Sequence, residues 1–106
     1  MRILTAFMLI ATSAQAEVTV GAVLSLTGPS AGLGIPEART LELLPREIAG
    51  QAVRFVVLDD ASDPAQALRV TKKLIEEEHV DAILGPSNTP NSVAILATSV
   101  RRGCRS

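Results

Sequence analysis

Apolar and polar residues follow two different periodicities along the chain, and each periodicity predicts one type of element. Short apolar runs rich in β-branched residues are typical of buried strands, and they occur at residues 18–24, 53–58 and 80–84. Apolar residues that recur every third or fourth position are typical of amphipathic helices, and they occur at residues 37–49 and 65–78.

Local signals at the ends of the later helices refine this pattern. Asp63 suits the N-cap of the second helix, Pro64 its first position and Gln66 the reciprocal place in a capping box. Asn91 or Ser92 is expected to cap a last helix that continues to about residue 98.

The first helix is expected to follow a loop at residues 28–34, which is dense in glycine, proline and serine. Glu37 would then lie in its first turn, where the helix dipole favours a negative charge. Gly50 is placed to end this helix, and Pro45 is expected to remove one hydrogen bond from it.

Alternation of short strands with amphipathic helices predicts an α/β fold with three layers, in which helices cover both faces of a doubly wound parallel sheet. Ligands of such sheets bind beyond the carboxyl ends of the strands. The loops at that edge are residues 25–34, 59–63 and 85–91, so a site is expected to be built from them.

Residues 1–16 have the layout of a cleavable secretory signal peptide. Arg2 is followed by an apolar run, and Ala14-Gln15-Ala16 forms a small-residue cleavage site. The apolar run is much shorter than the roughly 20 residues that span a bilayer. The mature protein is therefore expected to work outside the cytoplasm.

Composition excludes several classes of function. The chain is 47% hydrophobic and 20% charged, which is typical of a folded domain, but it has no Trp or Tyr and a net charge of only −1. Aromatic side chains on which bases stack and an excess of basic residues are both lacking, so nucleic acid is not an expected partner.

No cofactor is expected either. Cys104 is a lone cysteine without nearby metal-ligand residues. Gly28, Gly32 and Gly34 lack the spacing of a dinucleotide-binding motif.

Ser87, Asn88 and Thr89 form the most promising polar group. They follow the third strand and precede a helix, so hydroxyls, an amide and backbone N–H groups meet near the positive end of a helix dipole. This chemistry suits a carboxylate ligand, and it equally suits simple capping of the helix.

Acidic residues offer a second interpretation from a different class. Asp59, Asp60 and His79 are candidate groups for an exported metal-binding or hydrolytic domain. The simpler interpretation is that the aspartates shape a turn and that His79 lies near a helix C-terminus, where a positive charge is favoured.

Four sequence blocks, in order and spacing, resemble one known family. They are residues 20–29 (VGAVLSLTGP), residues 55–64 (FVVLDDASDP), Leu74-Ile75 and residues 81–86 (DAILGP). Over residues 18–97 the chain is similar to the periplasmic solute-binding proteins of ABC transporters, of the branched-chain amino acid (leucine/isoleucine/valine-binding) type.

The resemblance implies a two-lobed, non-catalytic type I binding protein that closes on its ligand in the periplasm. Its partners would be a membrane permease and an ATPase, and its ligand an amino acid or a similar small carboxylate or amide. Ser87, Asn88 and Thr89 would contact the ligand, and Leu33 stands where the family often carries an aromatic residue.

The resemblance also predicts the domain organisation. Residues 17–97 would form part of the N-terminal lobe, and the basic residues 98–106 would be a non-native tail of an N-terminal fragment that is inactive alone. Two alternatives stay open, a genuine short protein with a basic tail and a sensory ligand-binding domain of the same fold.

Overall fold

A computed structural model describes residues 17–101, with side chains described as far as Val100. Its elements, in chain order, are β1 (Val18–Leu24), α1 (Ala31–Glu42), β2 (Glu47–Ile48), β3 (Gln51–Asp59), α2 (Pro64–Glu76), β4 (Ala82–Leu84) and α3 (Thr89–Arg101). The predicted bounds of β1 are confirmed, and β3 and β4 lie within two residues of their predicted ends.

The sheet has the strand order β2-β3-β1-β4. The central strand β1 pairs in parallel with β3 and β4, whereas β2 pairs antiparallel with β3 at one edge. Helices lie on both faces of β1, which confirms the predicted α/β class and its parallel, doubly wound core. The antiparallel edge strand is an addition that the sequence pattern did not predict.

Two apolar clusters fill the spaces between the sheet and the helices. Because successive side chains of a strand point to opposite faces, Val23 enters one cluster while Ala22 and Leu24 enter the other. The α1 side is small, with Leu41 as its buried helix residue. The other side is larger and contains buried residues of α2, α3 and β4, namely Ala67, Val70, Leu74, Ile83 and Ile95.

Helix α1 begins and ends earlier than predicted, so the assignment of residues 28–34 to a loop and of residues 37–49 to a helix is wrong in part. Gly34 packs directly on the backbone of Ser25, and this close contact explains a glycine inside the helix. Glu37 therefore lies well inside α1 rather than in its first turn. The helix ends at Glu42, before Pro45 can interrupt it.

A hairpin replaces the predicted end of the first helix. Ala49 and Gly50 connect β2 to β3, and their φ angles of 52° and 79° are both positive, as in the tight turns that suit twisted antiparallel strands. Gly50 thus forms a turn and does not end a helix.

The start of α2 follows the sequence signals in part. Asp63 is the N-cap, its carboxylate accepts a hydrogen bond from the Ala65 N–H at 3.3 Å, and Pro64 is the first helical residue. Gln66 does not complete a capping box, because its side-chain oxygen accepts instead from Arg69 Nε at 2.9 Å.

The start of α3 also differs from the prediction. The helix begins at Thr89, so the residue before it, Asn88, takes the capping role assigned to Asn91 or Ser92. The helix continues to Arg101, beyond the expected end near residue 98. Within residues 17–101 no helix has the length and apolar character needed to cross a membrane.

The two glycines of α1 provide a test of this packing. A Cβ at Gly34 would collide with the Ser25 backbone, whereas a Cβ at Gly32 would meet no atom within 4 Å. We expect Gly34→Ala to lower the free energy of unfolding by about 1–3 kcal/mol, as overpacking does. The matched control Gly32→Ala should raise it by roughly 0.5–1 kcal/mol, because alanine favours the helix. Urea unfolding followed by circular dichroism measures both, and equal stability of the two variants would contradict the packing of α1 on β1.

Candidate functional site

The three loops at the carboxyl ends of the parallel strands meet, as their positions in the fold predict. The loop after β1 contacts both of the others: the Leu26 N–H donates to Asp59 at 2.9 Å, and the Ser25 N–H donates to the Ser87 hydroxyl at 3.1 Å. The Ser30 N–H adds a hydrogen bond to the Ser62 hydroxyl at 3.0 Å. One polar edge therefore joins residues that are far apart in sequence.

Asp59 is the main acceptor for the first loop. Its carboxylate accepts hydrogen bonds from the Thr27 hydroxyl at 2.7 Å and from the backbone N–H groups of Leu26, Thr27 and Ala61. Burial alone would raise the pKa of Asp59, but these hydrogen bonds outweigh burial and hold the pKa below its ordinary value. The residue stays ionised and positions the loop.

Asp60 lies beneath the edge and is fully buried, as is Ser25. One carboxylate oxygen of Asp60 accepts from the Ser25 hydroxyl at 2.7 Å and from the Ser62 N–H at 2.9 Å. Its other oxygen is buried without a partner among the described residues. Ser25 thus links a buried carboxyl group to the surface of the site.

Asn88 both caps α3 and connects the loops. Its side-chain oxygen accepts from the Asn91 N–H at 3.0 Å, while its amide nitrogen lies 3.1 Å from the Ser30 hydroxyl and 3.4 Å from that of Ser25. The sequence left capping and ligand binding as alternatives for this residue, and capping is one role that it fills.

The Ser87 hydroxyl is also engaged. It donates to a carboxylate oxygen of Glu37 on α1 at 2.6 Å and accepts from the Ser25 N–H. This contact ties the loop after β4 to α1.

Two of the predicted contact residues are more exposed to solvent than the others, namely Leu33 and Thr89. Thr89 is the exposed first residue of α3, and its hydroxyl has no hydrogen-bond partner among residues 17–101. Leu33 lies in the first turn of α1 with 56% of its surface exposed. Both can meet a molecule placed over the edge.

A cavity of about 290 Å³ opens beside these loops, between α1 and the carboxyl ends of β1 and β4. Its walls are largely hydrocarbon, with two polar residues on the helix side. The lining residues are Leu24, Glu37, Thr40, Leu41, Leu84 and Gly85.

Sequence reasoning placed Ser87, Asn88 and Thr89 at the correct edge but missed their partners Ser25 and Glu37. Ser25 directly follows a buried strand, and a polar residue at that point is a usable signal for a site residue. Glu37 could not be found in this way, because its position depends on where α1 begins.

The residues of the metal-binding or hydrolytic alternative are not brought together. Asp59 and Asp60 lie at the carboxyl end of β3, whereas His79 precedes β4 and is therefore at the opposite edge of the parallel sheet. Across the described part of the chain, no group of three His, Cys, Asp or Glu residues is arranged to hold a metal ion. The proposed signal peptide and Cys104 lie outside the described residues.

The hydrogen bonds of Asp59 predict a specific dependence of stability on pH. The pKa of Asp59 is lower in the folded chain than in the unfolded one. Its contribution to the free energy of unfolding is therefore present above the unfolded pKa of about 3.9 and is lost as pH falls through the folded pKa. We expect Asp59→Asn to lower the free energy of unfolding by about 1 kcal/mol at pH 7 and by less at pH 3. The loss at pH 7 is modest because the site is partly open to water.

Urea unfolding at several pH values tests this, with Glu47→Gln on the exposed edge strand β2 as the control. A loss in Asp59→Asn that is equal at pH 7 and pH 3 would show that the ionised carboxylate does not hold the loop.

Solved structures of other proteins share the fold of this chain. An extracellular ligand-binding receptor from Rhodopseudomonas palustris HaA2 is 40% identical, with a TM-score of 0.82 over 85% of this chain and 25% of that one. An ABC transporter substrate-binding protein from Sphaerobacter thermophilus is 26% identical, with a TM-score of 0.77 over 84% of this chain and 25% of that one.

A branched-chain amino acid transporter substrate-binding protein from Streptococcus pneumoniae, solved with isoleucine, shares the fold. It is 24% identical, with a TM-score of 0.78 over 84% of this chain and 27% of that one. The chain thus spans about a quarter of the length of these structures. No curated protein matches it.

The sequence profile described as periplasmic binding protein matches residues 17–102, which is most of the chain. The match covers β1, all three helices and the loops of the polar edge. The chain belongs to the periplasmic binding protein family.

Proposed function

We propose that this chain contributes one side of a solute-binding cleft in a protein that delivers a small organic solute to an ABC importer. Residues 17–97 would form part of the N-terminal lobe, and a membrane permease and an ATPase would be the partners. The protein would act without catalysis in the periplasm after removal of residues 1–16.

The observation that carries the proposal is the convergence of the three loops at one edge of the sheet. Asn88 caps α3 there, and Thr89 directly follows it with an unoccupied hydroxyl among the described residues. A helix N-terminus favours negative or strongly accepting groups. An amino acid or a similar small carboxylate or amide fits this position.

The four residues of the proposed site have different roles. They are Leu33, Ser87, Asn88 and Thr89. Thr89 would contact the polar group of the ligand, and the exposed side chain of Leu33 would cover its apolar part. Asn88 and Ser87 are held by hydrogen bonds to neighbouring loops, so they would fix the shape of the edge. A preorganised edge binds more tightly than a mobile one, because less ordering is needed on binding.

The proposal is tested by mapping weak binding on the full chain labelled with ¹⁵N. Isoleucine added to millimolar concentration should shift the amide resonances of the non-proline residues in the ranges 25–34 and 87–91, with a Kd of roughly 1–10 mM because one face of a cleft makes few contacts. Thr89→Ala should weaken this binding about threefold or more, which corresponds to a lost hydrogen bond of modest strength.

Thr98→Ala is the matched control, since Thr98 lies on the same helix more than two turns away from the edge. The proposal fails if isoleucine shifts no resonance at this edge, or if the two threonine variants bind it equally well.

A further inference from the structure

The hydroxyl of Ser87 has no hydrogen left for a ligand. A serine hydroxyl has a single proton, and that of Ser87 is donated to Glu37 at 2.6 Å while its oxygen accepts from the Ser25 N–H at 3.1 Å. A ligand carboxylate placed next to Ser87 would meet the Glu37 carboxylate instead of a donor. The polar edge is therefore not uniformly suited to anions.

The Glu37 carboxylate forms no ion pair with another of the described residues. Arg54, for example, forms its ion pairs with Glu17 and Glu78. The side chain of Glu37 lines the cavity of about 290 Å³, whose other walls include Leu24, Leu41 and Leu84. A carboxylate on a largely apolar wall is a strong and directional acceptor.

These observations point to one ligand chemistry. We infer that Glu37 determines specificity by accepting hydrogen bonds from an ammonium or amide N–H group of the ligand, next to an apolar part that enters the cavity. The inference rests on the proposed function and narrows it: zwitterionic amino acids, amines and amides are accepted at this point, whereas simple carboxylic acids are disfavoured.

Ser87 contributes to this selection by holding Glu37 in place. Its hydrogen bond occupies one carboxylate oxygen, which leaves the second oxygen of Glu37 available to the ligand. The same geometry disfavours a ligand that carries only a carboxylate. Its negative charge would lie next to Glu37, which cannot donate a hydrogen bond to it. A site of this kind discriminates by an unfavourable contact as well as by a favourable one.

Three probes with the same branched body separate the two polar groups of the ligand. Leucine carries both an ammonium and a carboxylate, isoamylamine carries only the ammonium, and 4-methylpentanoate carries only the carboxylate. Their affinities for the full ¹⁵N-labelled chain are measured from shifts of the amide resonances of the non-proline residues in the ranges 25–34 and 87–91. The wild-type chain should bind leucine about tenfold more tightly than 4-methylpentanoate, a difference typical of one good polar contact, and isoamylamine should also bind more tightly than 4-methylpentanoate.

Glu37→Gln removes the charge while keeping an acceptor for Ser87. We expect it to weaken leucine and isoamylamine about tenfold and to leave 4-methylpentanoate unchanged or slightly tighter. The matched control is Glu42→Gln, at the exposed end of the same helix, which should bind all three probes as the wild type does.

The outcomes separate the two proposals. If leucine binds at the edge but Glu37→Gln behaves as Glu42→Gln does, the specificity role of Glu37 is wrong and the proposed function stands. Tighter binding of 4-methylpentanoate than of isoamylamine by the wild-type chain also contradicts it, whatever the variants do. If no probe shifts the resonances of the edge, both proposals fail.

Discussion

Two adjacent carboxylates at the end of β3 hold the loop that follows β1, and the rest of the site depends on that loop. Asp59 binds backbone N–H groups of the loop, so the path of the chain is fixed with little reliance on side-chain identity. Asp60 holds the buried Ser25 hydroxyl below it. Because Ser25 and Ser30 in turn contact the loop after β4, both sides of the site take their positions from this anchor.

The elements that the sequence predicts well are those whose signals are local. The central strand β1 is covered on both faces, so its continuous apolar run indicates its limits, and Asp63-Pro64 marks the start of α2. The start of α1 is hidden because Gly34 serves a contact with distant backbone, whereas local propensity assigns a glycine-rich stretch to a loop. The strand β2 is too short to show alternation.

The location of the site was more predictable than its connections. Parallel strands bring their carboxyl ends to one edge, so the loops containing Ser87 and Asn88 had to meet the loop after β1. The atoms that pair across the edge depend on the residue at which α1 begins. A prediction that starts this helix at the wrong residue therefore does not bring Glu37 next to Ser87. Asn91, expected to cap a helix, is instead buried within α3.

The two edges of the sheet differ in their capacity to accept another strand. On one side β2 is exposed, antiparallel and only two residues long, and such short edge strands discourage further pairing. On the other side β4 has no second neighbour among the described residues, and α3 presents exposed Val93, Leu96 and Val100 on its outer surface. β4 is therefore the edge of the described sheet that is open to pairing with a further strand.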